Sequence, residues 1–426
     1  MRPARNNQTD ILISGGGASG LAAACICADR GADTLIMEKQ ARVGRKILST
    51  GNGRCNLMPA GEPVFFGDAA FAHAVLSRVT SEQVRTFFAS LGLTMREDEG
   101  RVYPASGQAA AVLDVLRLKI DNAPHVCVVD NAPVVALDPV ADGWCARTKE
   151  GEAYHARRVI LAGGGSAAPK LGGGEDMYTL AQSLGHTLIP TRPALSQLET
   201  DIAPIRGLSG LRVPAILTLL SGETPVDAAS GELLFTDYGV SGVCVMQLSR
   251  AAGDLLAAGR DASLSIDFSP LLGLAPIRYE RVAPGKPGQN VPACEALLRD
   301  RAERLPPGNL LTGMLPRLLA ERLGNLPIPA LARALTDYRL PVRAVRGFAH
   351  AQVTAGGVAT HELDPDTMMS RLHGGLYMAG ELLDVDGDCG GHNLLFAWAS
   401  GMLASQSACG SSRQPPPGAQ SPKKVT

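Results

Sequence analysis

Three short stretches combine residue types that could do chemistry. GGGASG at 15–20 sets Gly15, Gly17 and Gly20 in a G-x-G-x-x-G register, with Glu38 eighteen residues beyond Gly20. That spacing suits a phosphate-bearing dinucleotide. Gly15 permits a tight turn, Gly17 lets backbone approach a pyrophosphate, Gly20 packs helix on strand, and the acid accepts from a ribose diol. GRKILSTGNGRCN at 44–56 packs three bases, three glycines, two asparagines and one cysteine into thirteen positions. It is too polar for a core element and too particular for a linker. GELLDVDGDCGGHN at 380–393 joins an acidic loop to Gly390, Gly391 and an apolar run.

The elements around these stretches fit that chemistry. Residues 10–14, 21–31 and 34–39 read strand, helix, strand, the first half of a dinucleotide-binding unit. The phosphates would sit at the helix N-terminus, where amides are free and the dipole is positive. A second glycine pattern at 163 lacks a following helix and acid, so it marks no second nucleotide domain. The further glycine-rich segments 163–174 and 374–393 suit one long, extended ligand, which favours resident FAD over NAD. Amides of Asn393 and Leu394, opening the last helix, could face the flavin where negative charge develops on reduction.

Helices are expected over 69–92 and 109–120, the second packing through Val112, Val115, Leu116 and Leu118. The segments 125–130, 133–138, 144–148 and 152–155 read as a small antiparallel sheet, and 157–162 as a buried strand. Residues 195–270 look strand-like and 290–338 helical. The fold class is α/β: a Rossmann-like discontinuous FAD-binding domain (1–190 and 339–410), an inserted β-rich domain (191–275), a small helical domain (276–338) and a disordered tail (411–426). The return segment could also lend the β-rich domain a strand.

Composition limits the alternatives. Lys+Arg 40 against Asp+Glu 41 argues against a dedicated polyanion binder. Gly 48 of 426 is above the usual ~7%. Nine cysteines without a CxxC fit free thiols in a cytoplasmic protein. The apolar run 394–404 is half the ~20 residues of a membrane span. Asp384, Asp386 and Asp388 resemble the start of a calcium loop, but its twelfth position is Leu395, so no metal is expected.

Taken in order, GGGASGLAAA, GRKILSTGNGRCN, RVYPASGQAAAVLDVL, VILAGGGSAAPKLGGGEDMY, ELLFTDYGVSG, VTAGGV and LYMAGELLDVDGDCGGHN all fall within about residues 10 to 405. The sequence resembles the BaiN/RdsA-type, HI0933-like NAD(P)/FAD-dependent oxidoreductases. The resemblance implies the three-part fold given above. It implies FAD contacts from Gly15, Gly17, Ala18, Ser19, Gly20, Glu38, Lys39, Arg45, Lys46, Gly51, Gly53, Arg54, Cys55 and Asn56. Val134, Ala162, Gly163, Gly164, Gly380, Glu381, Asp386, Gly390, Gly391, His392, Asn393 and Leu394 complete that set.

Asp237, Cys389 and His392 stand where His, Thr and Tyr are usual in that family, and GGGEDMY lacks its Ser-Thr-Gly-Asp-Gly run. These three residues are the catalytic candidates. Asp237 is a proton donor if burial raises its pKa, and otherwise a turn acid. Cys55 is either a redox group beside the ring or a space-filling thiol. The resemblance implies NAD(P)H-driven reduction of a conjugated C=C bond in a small molecule or in a ribosomal RNA uridine. For RNA, Arg42, Arg45 and Arg339, Arg343 and Arg346 would guide phosphates. An amine oxidase using oxygen and a non-catalytic flavin scaffold are the alternatives, and the oligomeric state is open.

Overall fold

The structure is a computed structural model and describes residues 7–410; the expected tail, 411–426, lies outside them. The chain forms two compact units, one of residues up to Thr191 together with those from Val353 onward, the other Arg192–Gln352.

The first unit is built on β1 (Gln8–Ser14), α1 (Ala18–Asp29) and β2 (Thr34–Met37). Strands run parallel in the order Val126–Val129, β2, β1, Ala153–Leu161, with Leu376–Met378 also parallel to the last. Ile11 to Ser14 and all of β2 are buried, as expected for parallel strands covered on both faces. Two expectations change here. Residues 126–129 pair parallel with β2 and belong to the nucleotide sheet. The segments 152–155 and 157–162 form one strand, which carries Gly143–Thr148 and Val134–Val140 antiparallel on its edge.

α1 reads ASGLAAACICAD, a helix of small residues. It packs against the last helix, His392–Gly410, whose Gly401 would place a Cβ 2.2 Å from the Ser19 carbonyl oxygen. That approach is open only to glycine. Trp398 on the same helix is fully buried and donates from Nε1 to the Leu57 oxygen at 3.2 Å. Among the described residues, no helix is long and apolar enough to cross a membrane.

The single helix expected over 69–92 is two, Ala69–Arg78 and Ser81–Ser90. Thr80 breaks it with a capping box: its hydroxyl accepts from the Gln83 amide, and the Gln83 side chain accepts from the Thr80 amide. Helix Ala109–Asp121 stands as expected, except that Leu118 is 60% exposed and packs nothing.

In the second unit all sheet pairings are antiparallel. Arg212–Ser221, Ser263–Asp267, Tyr338–Val345, Leu198–Thr200, Gly239–Ser241 and Thr224–Phe235 follow one another, and the last pairs back with the first, closing a barrel-like ring. A fifteen-residue helix, Val243–Ala257, interrupts the stretch expected to be all strands. The helices of 290–338 bring Leu298, Leu319, Leu331 and Leu335 into the same core as Leu217, Leu264 and Phe235. Residues 276–338 therefore share one unit with the sheet, because their apolar faces have no other core to join.

One buried cluster in the first unit has the spacing of a hydrolytic triad. His186 Nδ1 lies 2.9 Å from Glu362 Oε2, and its Nε2 lies 3.0 Å from Ser370 Oγ. Ser370 is 3% exposed, and its Oγ also accepts the amides of Leu372 and His373, so the cluster is a structural staple. Burial holds His186 below its usual pKa, against the pull of Glu362. The folded state thus disfavours the imidazolium. The stability this neutral ring contributes is complete above the unfolded value of about 6.5 and is lost as pH falls below it. Burial raises Glu362, but hydrogen bonds from Thr187 and His186 leave it net lowered, so its own loss begins only at more acid pH. The thermal midpoint is expected to fall between pH ~7 and pH ~5.5, and less steeply in His186→Gln. Identical slopes by calorimetry would remove His186 from this account.

Candidate functional site

The fingerprint turn has the geometry its spacing demands. Gly15 adopts φ +110°, and a Cβ there would lie 2.6 Å from the Ala162 oxygen. A Cβ on Gly20 would lie 1.9 Å from the Gly15 oxygen. Gly17 differs: a Cβ there would meet no heavy atom within 4 Å. The turn is therefore tight on the protein side at Gly15 and Gly20, and open on the other at Gly17. α1 begins at Ala18 with no side-chain cap and no acid in its first turn. Its positive, amide-bearing end is left for something other than its own chain.

Glu38 is 8% exposed, and its carboxylate accepts the Gly16 amide and the Gln40 amide, each at 2.8 Å. Each oxygen keeps a further lone pair for a hydroxyl. The Glu38 backbone pairs with Val129 and Ala132, which brings the chain leading to buried Val134 alongside. Ala162 donates to the Ser14 oxygen at 2.8 Å, Gly163 sits against Met177, and Gly164 faces open space with φ +76°. Gly380 lies against Ser19, where a Cβ would be 2.6 Å from Oγ. The sites on α1, after β2 and before the last helix thus converge in one unit.

The basic loop answers to structure more than to phosphate. Arg45 bonds to the Gln40 side chain and, at 3.2 Å, to the Lys170 oxygen. Lys39 pairs with Asp176 and Lys46 with Glu381, each at 2.6 Å. Arg54 pairs with Asp98 at 2.7 Å and lies 4.2 Å over the Tyr103 ring. Gly51, Asn52, Gly53 and Cys55 all have positive φ. This loop turns sharply without sheet partners, which explains its glycines. Cys55 is fully buried and burial pushes its thiol up to about 11, so it is a filling thiol at neutral pH. Asn56 is 8% exposed and its Oδ1 has no hydrogen-bond partner, while a Cβ on Gly391 would fall 2.6 Å from that atom.

At the last helix, His392 is 8% exposed and its Nδ1 accepts the Val64 amide at 3.0 Å. An acceptor at Nδ1 places the ring proton on Nε2. Burial lowers its pKa, Arg101 lowers it further, and Asp388 opposes them. His392 is therefore a neutral donor at a helix N-terminus. Nε2 lies on the side of Gly390, 3.3 Å from where a Cβ would stand. Asn393 is committed to the loop: Oδ1 accepts the Gly387 amide at 2.7 Å and Nδ2 donates to the Gly387 oxygen at 2.8 Å. Leu394 follows it, half-buried. Asp386, 2% exposed, lies on the short strand Val385–Gly387.

Cys389 is half-buried, with its thiol raised by burial, so it is no thiolate nucleophile. Asp237 lies in the second unit, exposed on a bend after Thr224–Phe235. The burial that a proton-donating role demands is absent there.

Residues 9–407 match the HI0933-like protein Rossmann domain. The chain belongs to the HI0933-like family. It is an oxidoreductase whose Rossmann domain is that of a flavoprotein. It is 39% identical over 418 residues to a 3-dehydro-bile acid delta(4,6)-reductase of Clostridium scindens, covering 93% of this chain and 98% of that relative. A ribosomal RNA dihydrouridine synthase of Escherichia coli is 28% identical over 410 residues, covering 93% and 97%. The fold is shared with a 3-ketosteroid delta1-dehydrogenase from Sterolibacterium denitrificans, at TM-score 0.53 and 14% identity over 96% of this chain and 100% of that one.

Three further residues shape this candidate site without standing among the sequence candidates. Thr354 is fully buried; its Oγ1 accepts the Ala167 amide at 3.0 Å and its amide donates to Glu381 Oε1 at 2.9 Å. Its signal was the VTAGGV motif, which fixes a threonine before two glycines. Arg101 opens the RVYPASGQAAAVLDVL motif but carried no role there, and Val64 carries no motif; together they set the charge and tautomer of His392.

Proposed function

We propose that the chain is an FAD-dependent reductase that uses NAD(P)H to saturate a carbon–carbon double bond conjugated to a carbonyl in a small, largely apolar molecule. The observation that carries it is the whole-length similarity to a bile-acid reductase, in a chain whose fingerprint helix is left open at its N-terminus. FAD, when bound, supplies the hydride chemistry.

The chain's own residues supply the rest. The first turn of α1, with Gly17 open before it, binds the pyrophosphate, and Glu38 binds the ribose diol. His392 Nε2–H donates to the substrate carbonyl oxygen, where negative charge develops as the neighbouring double bond accepts hydride. A neutral imidazole suits that role, because it polarises without a full charge to desolvate.

A ribosomal uridine offers the same conjugated bond, and the dihydrouridine synthase relatives favour that second reading. Three of the five bases that would guide RNA point the other way. Arg339 is paired with Asp337 and Glu223, Arg343 with both oxygens of Asp201, and Arg346 lies 4.0 Å over Tyr238 with Glu199 at 3.7 Å. Arginines neutralised by acids track phosphates weakly.

The test is anaerobic. NADH or NADPH is expected to bleach the visible flavin band, and a steroid 4-en-3-one to restore it stoichiometrically. Failure of both nucleotides to bleach the band sinks the reductase half. Restoration by uridine-containing RNA but not by the enone overturns the small-molecule reading.

A further inference from the structure

All nine cysteines are free, and two of them are neighbours across the helix pair at the heart of the first unit. Cys27, on α1, is fully buried, and Cys409, in the final turn of the last helix, is half-buried. Their sulfurs lie 3.8 Å apart although 382 positions separate them in sequence. Two side chains already in contact need only small rotamer changes to reach bonding distance.

We infer that Cys27 and Cys409 form a peroxide-sensitive thiol pair, in which Cys409 is oxidised first and Cys27 resolves it as a disulfide. The roles follow from position. Cys409 is the member with access to solvent. Arg30 donates to the Gln406 oxygen at 2.8 Å and Arg158 to the Ala408 oxygen, so two guanidinium groups flank the helix end that carries it. Together with the hydrogen bond shared with Cys27, these charges draw the Cys409 thiol below its usual pKa, while Cys27 is pushed up. The thiolate is the nucleophile towards peroxide.

The steps balance with hydrogen peroxide as the oxidant. The Cys409 sulfur attacks one peroxide oxygen, the O–O bond breaks, hydroxide leaves, and Cys409 becomes a sulfenic acid. The Cys27 sulfur then attacks the Cys409 sulfur, and the S–OH oxygen leaves with the Cys27 proton as water. Two thiols and one peroxide give one disulfide and two waters. The bond would tie together the far ends of the two helices whose N-termini face the cofactor site, closing a very long loop of chain.

Full-length protein is reduced, freed of reductant and titrated with hydrogen peroxide, then alkylated and peptide-mapped without reduction. The expected result is loss of two of the nine thiols, one Cys27–Cys409 cross-linked peptide, a thermal midpoint raised by several degrees and full reversal by dithiothreitol. Cys27→Ala is expected to leave a sulfenic acid at Cys409 that dimedone captures. Wild-type protein decides the matter alone if that variant fails to fold. Oxidation of Cys389 ahead of this pair, or over-oxidation of Cys409 with no cross-link, overturns the inference. None of these readouts depends on substrate, so failure here is separable from failure of the reductase reading.

Discussion

Gly17→Val protein is expected to fold and to purify without colour. Gly17 has φ −82° and ψ −162°, an extended conformation that any L-residue adopts. A Cβ there would meet no heavy atom within 4 Å, so the chain itself offers no objection. Exchanging glycine for valine at a helix N-cap costs about 1 kcal/mol or less. The space that valine fills, however, is the approach to the open end of α1. We expect flavin affinity to fall at least ~100-fold, about 2.7 kcal/mol. The control is Gly20→Val, whose Cβ would stand 1.9 Å from the Gly15 oxygen and which should fail to fold with or without cofactor. Flavin-to-protein absorbance and the thermal midpoint together separate the two. Gly17→Val carrying a full complement of flavin would move the dinucleotide elsewhere.

That contrast also marks what could be read from the sequence. Gly15 and Gly20 are demanded by backbone geometry, and Gly17 and the acid stand at fixed spacing from them, so the fingerprint turn and Glu38 were legible before any coordinates. Partners set by tertiary structure were not. The bases Arg339 and Arg343 look like a charged stripe in sequence, but the acids that neutralise them, Glu223 and Asp201, are 116 and 142 positions away. The strand 126–129 has the apolar pattern of any short strand, and nothing in that pattern says that it pairs parallel with β2. Helix Val243–Ala257 carries a helical pattern of its own, with Cys244, Val245, Leu248, Ala252 and Leu255 buried along one face, and the strand texture on either side of it hid that pattern. The break at Thr80 was legible in Thr80-x-x-Gln83, a local signal with a local cause. Asp237 shows the converse: an acid in a family motif reads as chemistry, yet its bend is solvent-exposed.

His392 carries the other large effect. Its Nε2–H is the one hydrogen-bonding group that the ring leaves uncommitted to Val64, and it sits at the positive end of the last helix. His392→Phe keeps a ring of similar bulk and removes the donor. Loss of one donor to a developing oxyanion typically lowers kcat about 10²–10³-fold. His392→Tyr, which returns an O–H, is expected to recover part of that loss. The pH profile distinguishes a donor from a packing role. Because burial and Arg101 hold the imidazole below its usual pKa, it stays neutral through the range near 6.5 where a free histidine titrates. Activity should therefore be level across that range and decline only at more acid pH. There protonation of Nδ1 sets two N–H groups against each other at Val64 and dislodges the ring. The tyrosine variant has no group titrating there, so its acid limb should vanish. Flavin content must stay unchanged in both variants for the comparison to stand. Wild-type kcat in His392→Phe, or an acid limb that persists in His392→Tyr, would take His392 out of the reaction and leave it as a buttress for the loop it joins.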